Sequence, residues 1–417
     1  MEVKITPKKL SGKITAPPSK SFAHRALIAA ALCKRQTTEI RNVALSDDIS
    51  ATINCLEAIG AKIKIIGKTA FVTGITEIPK EAVLDCRESG STLRFLIPVC
   101  AALGIKTTFK GAGKLPSRPV STYVRELSKK GINFSDTHLP FTISGQLKSG
   151  RFDIEGNISS QYISGLMFAL PLIKGESKIH ITGKFESVDY VDMTEDVLAV
   201  FGVFFHIYDN TYTVRRTSFE CLDEYYEIEG DWSNAAFFKT AEALGNDVKV
   251  SGLDEYSIQG DGDIADFLTD LSECEKLSEN EDTEELITSD FSDMPDIVPI
   301  CAVAVSAVDT NLEKFTFKNV SRLTLKESNR LKSTADMINA LGGKADFDEN
   351  SLTVYHTGLT GGKVDGCNDH RIVMSAAIAA TVCESEVIIT DAEAVKKSYP
   401  DFWDVYKKLG GNIEVRD

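Results

Sequence analysis

No stretch of the 417-residue chain approaches the ~20 consecutive apolar residues that a helical membrane span needs. Positive charge is in deficit, 46 Lys and Arg against 61 Asp and Glu, a net −15. That balance argues against nucleic acid or an anionic membrane as partner, and it makes any local cluster of cations informative. The nine cysteines are odd in number and contain no C-x-x-C pair, so they read as reduced, mostly buried thiols rather than a disulfide framework or zinc site. Met1-Glu2-Val3-Lys4-Ile5 has the look of a strand and lacks a signal or transit composition, which predicts a cytoplasmic protein. His24 and His370 have no partners at metal-ligand spacing. Gly111-Ala112-Gly113-Lys114-Leu115 lacks both the leading glycine and the following Ser or Thr of a phosphate-binding loop. Asp47-Asp48, after Ser46, reads as a cap of the next helix.

What is present is a globular composition, 43% hydrophobic and 26% charged. The length exceeds one ordinary core, so two domains of roughly 200 residues are expected. An internal repeat organises both. A polar cluster followed at once by a small-residue apolar helix occurs six times, marked by Ser21, Ser91, Ser160, Ser233, Asp296 and Asp369, at steps of 70, 69, 73, 63 and 73 residues. A second marker, an amphipathic helix ending in glycine before an alternating strand pair, recurs at Gly60, Gly131, Gly202, Gly342 and Gly410. The 140-residue step from Gly202 to Gly342 spans two periods, so one copy is disguised near residue 272, where the acidic stretch 272–282 reads as a degenerate, solvated edge of the fourth repeat.

Each period thus predicts a buried helix, an amphipathic helix and short alternating strands such as Lys62–Ile66 and Ala70–Thr73. Such units cannot bury their apolar faces alone, and three around a common core make one domain. The fold class is α/β, in two domains, each of three repeated βαβ-type units around buried parallel helices. A crossing between domains is expected near Tyr225–Gly230. Rotationally related repeats would gather their helix N-termini at one end of each domain, and two such ends facing each other would form a cleft. Lys20, Arg25, Arg94, His370 and Arg371 lie at those starts, and the loops add Arg118, Lys326, Arg330, Lys396 and Lys397. In so acidic a chain, cations at equivalent positions predict a small polyanionic ligand carrying phosphate or carboxylate.

Pro18-Ser19-Lys20-Ser21 with Arg25, Gly90-Ser91-Thr92 with Arg94, Ser117-Arg118-Pro119, Ser159-Ser160-Gln161, Lys326-Glu327-Ser328-Asn329-Arg330-Leu331 and Asn368-Asp369-His370-Arg371 resemble, in the same order from about residue 12 to 405, the 5-enolpyruvylshikimate-3-phosphate synthase family. The resemblance implies the enolpyruvyl transferase fold, an inverse α/β barrel, with residues 19–228 as the shikimate-phosphate domain, residues 1–18 plus 229–417 as the second, and the active site in the cleft between them. It implies no metal, no cofactor and a monomer. The implied reaction moves the carboxyvinyl group of phosphoenolpyruvate onto the 5-hydroxyl of shikimate 3-phosphate and releases phosphate.

Carried over by position, Ser21, Arg25, Ser159, Ser160, Ser187, Tyr190 and Lys326 would hold shikimate 3-phosphate, with Gln161 near its ring. Gly90, Arg118, Arg330, Arg371 and Lys397 would bind phosphoenolpyruvate, and Lys20, after the hinge-like Pro17-Pro18, would bridge both ligands. Addition across an enol ether needs a base for the alcohol and an acid for the methylene carbon, and elimination needs the reverse transfers. Asp296, expected at a helix start, suits hydrogen bonding to the substrate hydroxyls and the role of base; Glu327 suits proton delivery and removal; Lys20 and Lys397 suit stabilisation of the departing phosphate and the intermediate. Lys326 and Arg330 beside Glu327 favour its ionised form, so a rise in its pKa on substrate binding is expected. Two rivals stand beside this reading: the enolpyruvyl transferase acting on UDP-N-acetylglucosamine, and a non-catalytic repeat protein that binds a phosphorylated metabolite.

Overall fold

The computed structural model describes residues 1–34, 36–273 and 288–416. The chain divides into two compact units, Pro18–Glu229 and Met1–Pro17 with Gly230–Asp417. Each has its own hydrophobic core, and Val3, Ile5, Leu10 and Ile14 belong to that of the second.

All six expected buried helices form. In Pro18–Glu229 they are Lys20–Leu32, Gly90–Leu103 and Ser160–Ala169. In the other unit they are Trp232–Ala243, Val298–Ala307 and His370–Ala379. Their sequences explain the burial, since small and apolar residues, Ala above all with Ile, Leu, Val, Met or Phe, fill most sides of these helices and leave few polar positions for water. Close approach is built in at Gly165, where a Cβ would lie 2.2 Å from the Tyr123 hydroxyl and 2.5 Å from the Arg94 carbonyl oxygen. Ser160–Ala169 therefore packs directly on Gly90–Leu103, with the Phe95 and Phe168 rings 5.7 Å apart.

The repeat is equally plain in the sheets, where five share one topology. A parallel pair is extended by an antiparallel strand and then by a second one antiparallel to that, its hairpin partner in four of the five, as in Glu81–Asp85, Lys106–Lys110, Phe141–Gly145 and Ile132–Phe134. The first repeat is completed from the far end of its unit, by Tyr226–Glu227 pairing with Thr37–Arg41. The sixth is completed by the N-terminal strand Glu2–Thr6, which lies between Val387–Ile389 and Asn412–Arg416. Ser11–Thr15 pairs in parallel with Asp247–Ser251 of the fourth repeat. Among the described residues that sheet has no hairpin, and most of the acidic stretch 272–282 lies outside them. The marker glycines Gly60, Gly131, Gly202, Gly342 and Gly410 all have positive φ, between 70° and 108°, the conformation that turns a helix end into the following strand. The first hairpin runs Lys62–Ile66 and Thr69–Thr73, one residue longer than expected. Among the described residues no helix is long and apolar enough to cross a membrane.

Candidate active site

The candidate residues fall into two groups, one in each unit. In Pro18–Glu229 the three buried helices are capped by serine: Ser19 accepts from Phe22 N, Ser89 from Thr92 N and Ser159 from Gln161 N. A neutral cap satisfies one orphan N–H and leaves the positive end of the helix available to an anion. Lys20 Nζ sits 3.1 Å from Asp48 Oδ2. The next helix is capped not by the Asp47-Asp48 pair but by Ser46, which accepts from Ile49 N and leaves the Asp48 carboxylate for Lys20. Arg25 is buried, and its three nitrogens donate to Thr194 Oγ1 at 2.8 Å, Ser21 O at 2.8 Å and Tyr190 O at 2.6 Å. Burial pushes its guanidinium down to about 10, still charged at neutral pH. Ser21, Arg25 and Tyr190 thus come together as expected. Ser187 is buried at the start of Val188–Val200 with φ 53°, and its side chain makes no cap bond there.

Gly90 opens the second helix against two guanidinia. A Cβ there would stand 2.8 Å from Arg118 Nη1 and 3.0 Å from Arg94 Nη1. The amide of Gln161, one residue after Ser160, is held at both ends: Arg94 Nη1 donates to its Oε1 at 2.7 Å, and its Nε2 donates to Ser91 Oγ at 2.9 Å. The starts of the second and third helices are therefore tied together by side chains.

The other unit is built on the opposite electrostatic principle, with an aspartate at each helix start. Asp231 caps Trp232–Ala243 and Asp369 caps His370–Ala379. Asp296 departs from the expected position, since it lies in the turn two residues before Val298–Ala307 and does not cap that helix. Instead it accepts from Lys326 Nζ at 2.8 Å and Arg330 Nη1 at 2.7 Å. Arg330 is the hub. Its Nη2 also bonds Glu327 Oε2, and it grips Asp369 through Nε to Oδ2 at 3.0 Å and Nη2 to Oδ1 at 3.1 Å. Ser328 Oγ donates to the same Asp369 Oδ2 at 2.9 Å. Arg371 Nη1 donates to Ser233 O at 2.9 Å, and Lys397 Nζ to Asn368 O at 2.6 Å, both at helix starts.

Exposure separates the roles of the three carboxylates around Arg330. The side chain of Asp369 is 0% exposed and can only organise the hub, whereas Asp296 at 21% and Glu327 at 18% are open to a ligand. Burial alone would push the Asp296 carboxyl up, but Lys326, Arg330 and Arg371 together hold it well below the usual range. Burial lowers Lys326, with Asp296 opposing and Arg330 and Arg322 assisting. Three partners of these candidate residues, two in Pro18–Glu229 and one in the other unit, are not marked in the sequence. Asp48 and Thr194 hold cations from other helices. Asp261, bonded by the Ser233 hydroxyl, is pushed up to about 7 by burial and by Asp296. No periodic or motif signal points to them, because each acts across tertiary contacts.

The family model described as EPSP synthase (3-phosphoshikimate 1-carboxyvinyltransferase) matches residues 5–406. The chain is 40% identical to the 3-phosphoshikimate 1-carboxyvinyltransferase of Clostridium novyi over 432 residues, covering 99% of this chain and 98% of that protein. It is 41% identical to the enzyme of that name from Clostridium acetobutylicum, with 99% and 98% covered. Its fold matches an EPSP synthase structure from Acinetobacter baumannii with a TM-score of 0.78 at 20% identity, over 100% of both chains. By sequence across nearly its whole length, and by fold, the chain belongs to the EPSP synthase family.

Proposed function

We propose that the two groups of residues form one active site in a cleft between domains 19–228 and 1–18 plus 229–417, in a monomeric, cytoplasmic enzyme that needs no metal or cofactor. The reaction is that of the family: the carboxyvinyl group of phosphoenolpyruvate passes to the 5-hydroxyl of shikimate 3-phosphate by addition and elimination, and phosphate leaves. Ser21, Arg25, Ser159, Ser160, Ser187, Tyr190 and Lys326 hold shikimate 3-phosphate, with Gln161 near its ring. Gly90, Arg118, Arg330, Arg371 and Lys397 take phosphoenolpyruvate, and Lys20 bridges the two. The observation that carries this reading is the Arg330 hub, which sets Asp296 and Glu327, the two ligand-accessible carboxylates, on one buried guanidinium.

Asp296 orients the attacking hydroxyl and accepts its proton. Held by Lys326 and Arg330 it is a weak base, and transfer of Lys326 to the ligand's phosphate removes one of those cations and strengthens it. Glu327 protonates the methylene carbon and later takes the proton back. Lys20 and Lys397 stabilise the intermediate and the departing phosphate. The loop Lys114-Leu115-Pro116-Ser117-Arg118 has no cysteine, and serine follows Lys20 where the enolpyruvyl transferases acting on UDP-N-acetylglucosamine have asparagine, which disfavours that rival. The presence of Lys20 and Glu327 disfavours a silent binding protein.

Gly90→Ala tests the division of ligands, because its methyl group would crowd Arg118 and Arg94. The KM for phosphoenolpyruvate should rise at least ~10-fold while that for shikimate 3-phosphate stays within ~3-fold. An equal rise in both would contradict the assignment.

A further inference from the structure

Four buried side chains join three helices of Pro18–Glu229 in one hydrogen-bond chain. His24 Nδ1 lies 2.7 Å from Thr52 Oγ1, Thr52 Oγ1 lies 2.6 Å from Thr92 Oγ1, and Thr92 Oγ1 lies 2.7 Å from Ser89 Oγ. His24 is on Lys20–Leu32, Thr52 on Asp47–Ala58 and Thr92 on Gly90–Leu103, where Ser89 is the cap. One turn before this contact Lys20 meets Asp48, so the first two helices are joined by two rungs, Lys20 to Asp48 and His24 to Thr52, each four residues apart along its helix.

Counting protons fixes the direction of the chain. Each hydroxyl has one proton to give. Thr92 gives its proton to Ser89 Oγ, so Thr52 must be the donor to Thr92. With the Thr52 proton committed, the 2.7 Å contact to the ring requires His24 to donate from Nδ1. His24 Nε2 is buried with no hydrogen-bond partner among the described residues. A second proton there would be a buried N–H without an acceptor on a charged ring. Burial, and after it the charges of Lys20 and Arg25 on the same helix, holds the ring well below its ordinary value of 6.5.

We infer that His24 is a positioning residue, a neutral ring held as the Nδ1–H tautomer that locks the Lys20 helix start to the Gly90 helix start. The inference rests on the reading that Lys20 and Gly90 meet the substrates, and it adds that their spacing is set by this chain of hydroxyls. The side chain of asparagine carries an N–H donor close to the position of Nδ1 and should preserve the lock. Leucine at 24 or valine at 52 keeps the volume nearly unchanged but breaks the chain.

The experiment combines nitrogen NMR of the histidine rings in the intact protein with steady-state kinetics of His24→Asn, His24→Leu and Thr52→Val. The resonance lost in His24→Asn should report an Nδ1–H ring that stays neutral from about pH 8 to about pH 5.5. His24→Asn should keep the KM for phosphoenolpyruvate within ~3-fold, while His24→Leu and Thr52→Val raise it at least ~10-fold with kcat changed less than ~3-fold. A ring protonated at Nε2 would overturn the inference. So would a leucine variant with unaltered kinetics, or an asparagine variant as impaired as the leucine. Lys20→Ala separates the two levels: if it leaves both KM values unchanged, the substrate reading fails while the tautomer result stands.

Discussion

Glu327→Gln is expected to lower turnover by at least ~10², the scale of general acid–base catalysis, while both substrates still bind within a few-fold of their normal affinity. The amide keeps the shape of the carboxylate and an oxygen for Arg330 Nη2, so the hub should survive. What it removes is the proton transfer to and from the methylene carbon that we propose for Glu327. The contrast with the neighbouring carboxylates makes the expectation specific. Asp369 is fully enclosed and bonded by Ser328 and Arg330, so it cannot reach a reacting atom. Rapid-quench measurement of a single turnover, with binding followed separately, checks the prediction. Near-normal turnover in the variant would remove Glu327 from the acid–base role.

Arg330→Met should be the most damaging single change to stability. It withdraws one buried guanidinium from Asp296, Glu327 and Asp369, and breaking a buried pair by deleting one partner costs about 3–5 kcal/mol because the charge left behind is uncompensated. The pH dependence follows from Asp296, whose folded pKa lies well below its unfolded value near 3.8. Its stabilisation is fully present above that unfolded value and is lost as pH falls through the folded one. In the variant much of that stabilisation is gone already at neutral pH, so the loss relative to the parent should be largest near pH 7 and shrink toward about pH 4 as the stranded carboxylates protonate. Both tryptophans, Trp232 and Trp403, lie in the unit that contains Arg330, so their fluorescence follows this unit during urea unfolding. A loss under ~1 kcal/mol, or one that grows toward acid, would show that the hub carries little of the unit's stability.

The architecture was legible because it repeats. A buried helix must follow its polar start and a glycine must end the amphipathic one, and those local constraints recur near every 70 residues, so all six buried helices could be placed from the sequence. The fourth repeat was obscure for the same reason, since without its glycine nothing local marks its end. In the site, motif residues next to one another in the chain were readable, such as Lys326, Glu327 and Arg330. Pairings between distant segments were not. Asp48 looked like a cap because it follows Ser46, yet its carboxylate answers to Lys20, 28 residues away. Asp296 was expected at a helix start because a helix follows, yet it lies two residues before that helix, and two cations on another loop and helix claim it. The contrast between serine caps in one unit and aspartates in the other was in plain view in the sequence, but its meaning depended on knowing that Arg330 reaches Asp296 and Asp369 and that Lys326 reaches Asp296.

We propose that these residues serve one addition–elimination reaction on two anionic substrates. Phosphate release measured with shikimate 3-phosphate and phosphoenolpyruvate, each alone and together, tests it most directly. Release is expected only when both are present, one phosphate for each phosphoenolpyruvate consumed, with none when UDP-N-acetylglucosamine replaces shikimate 3-phosphate. Release with the UDP-sugar and none with shikimate 3-phosphate would contradict it.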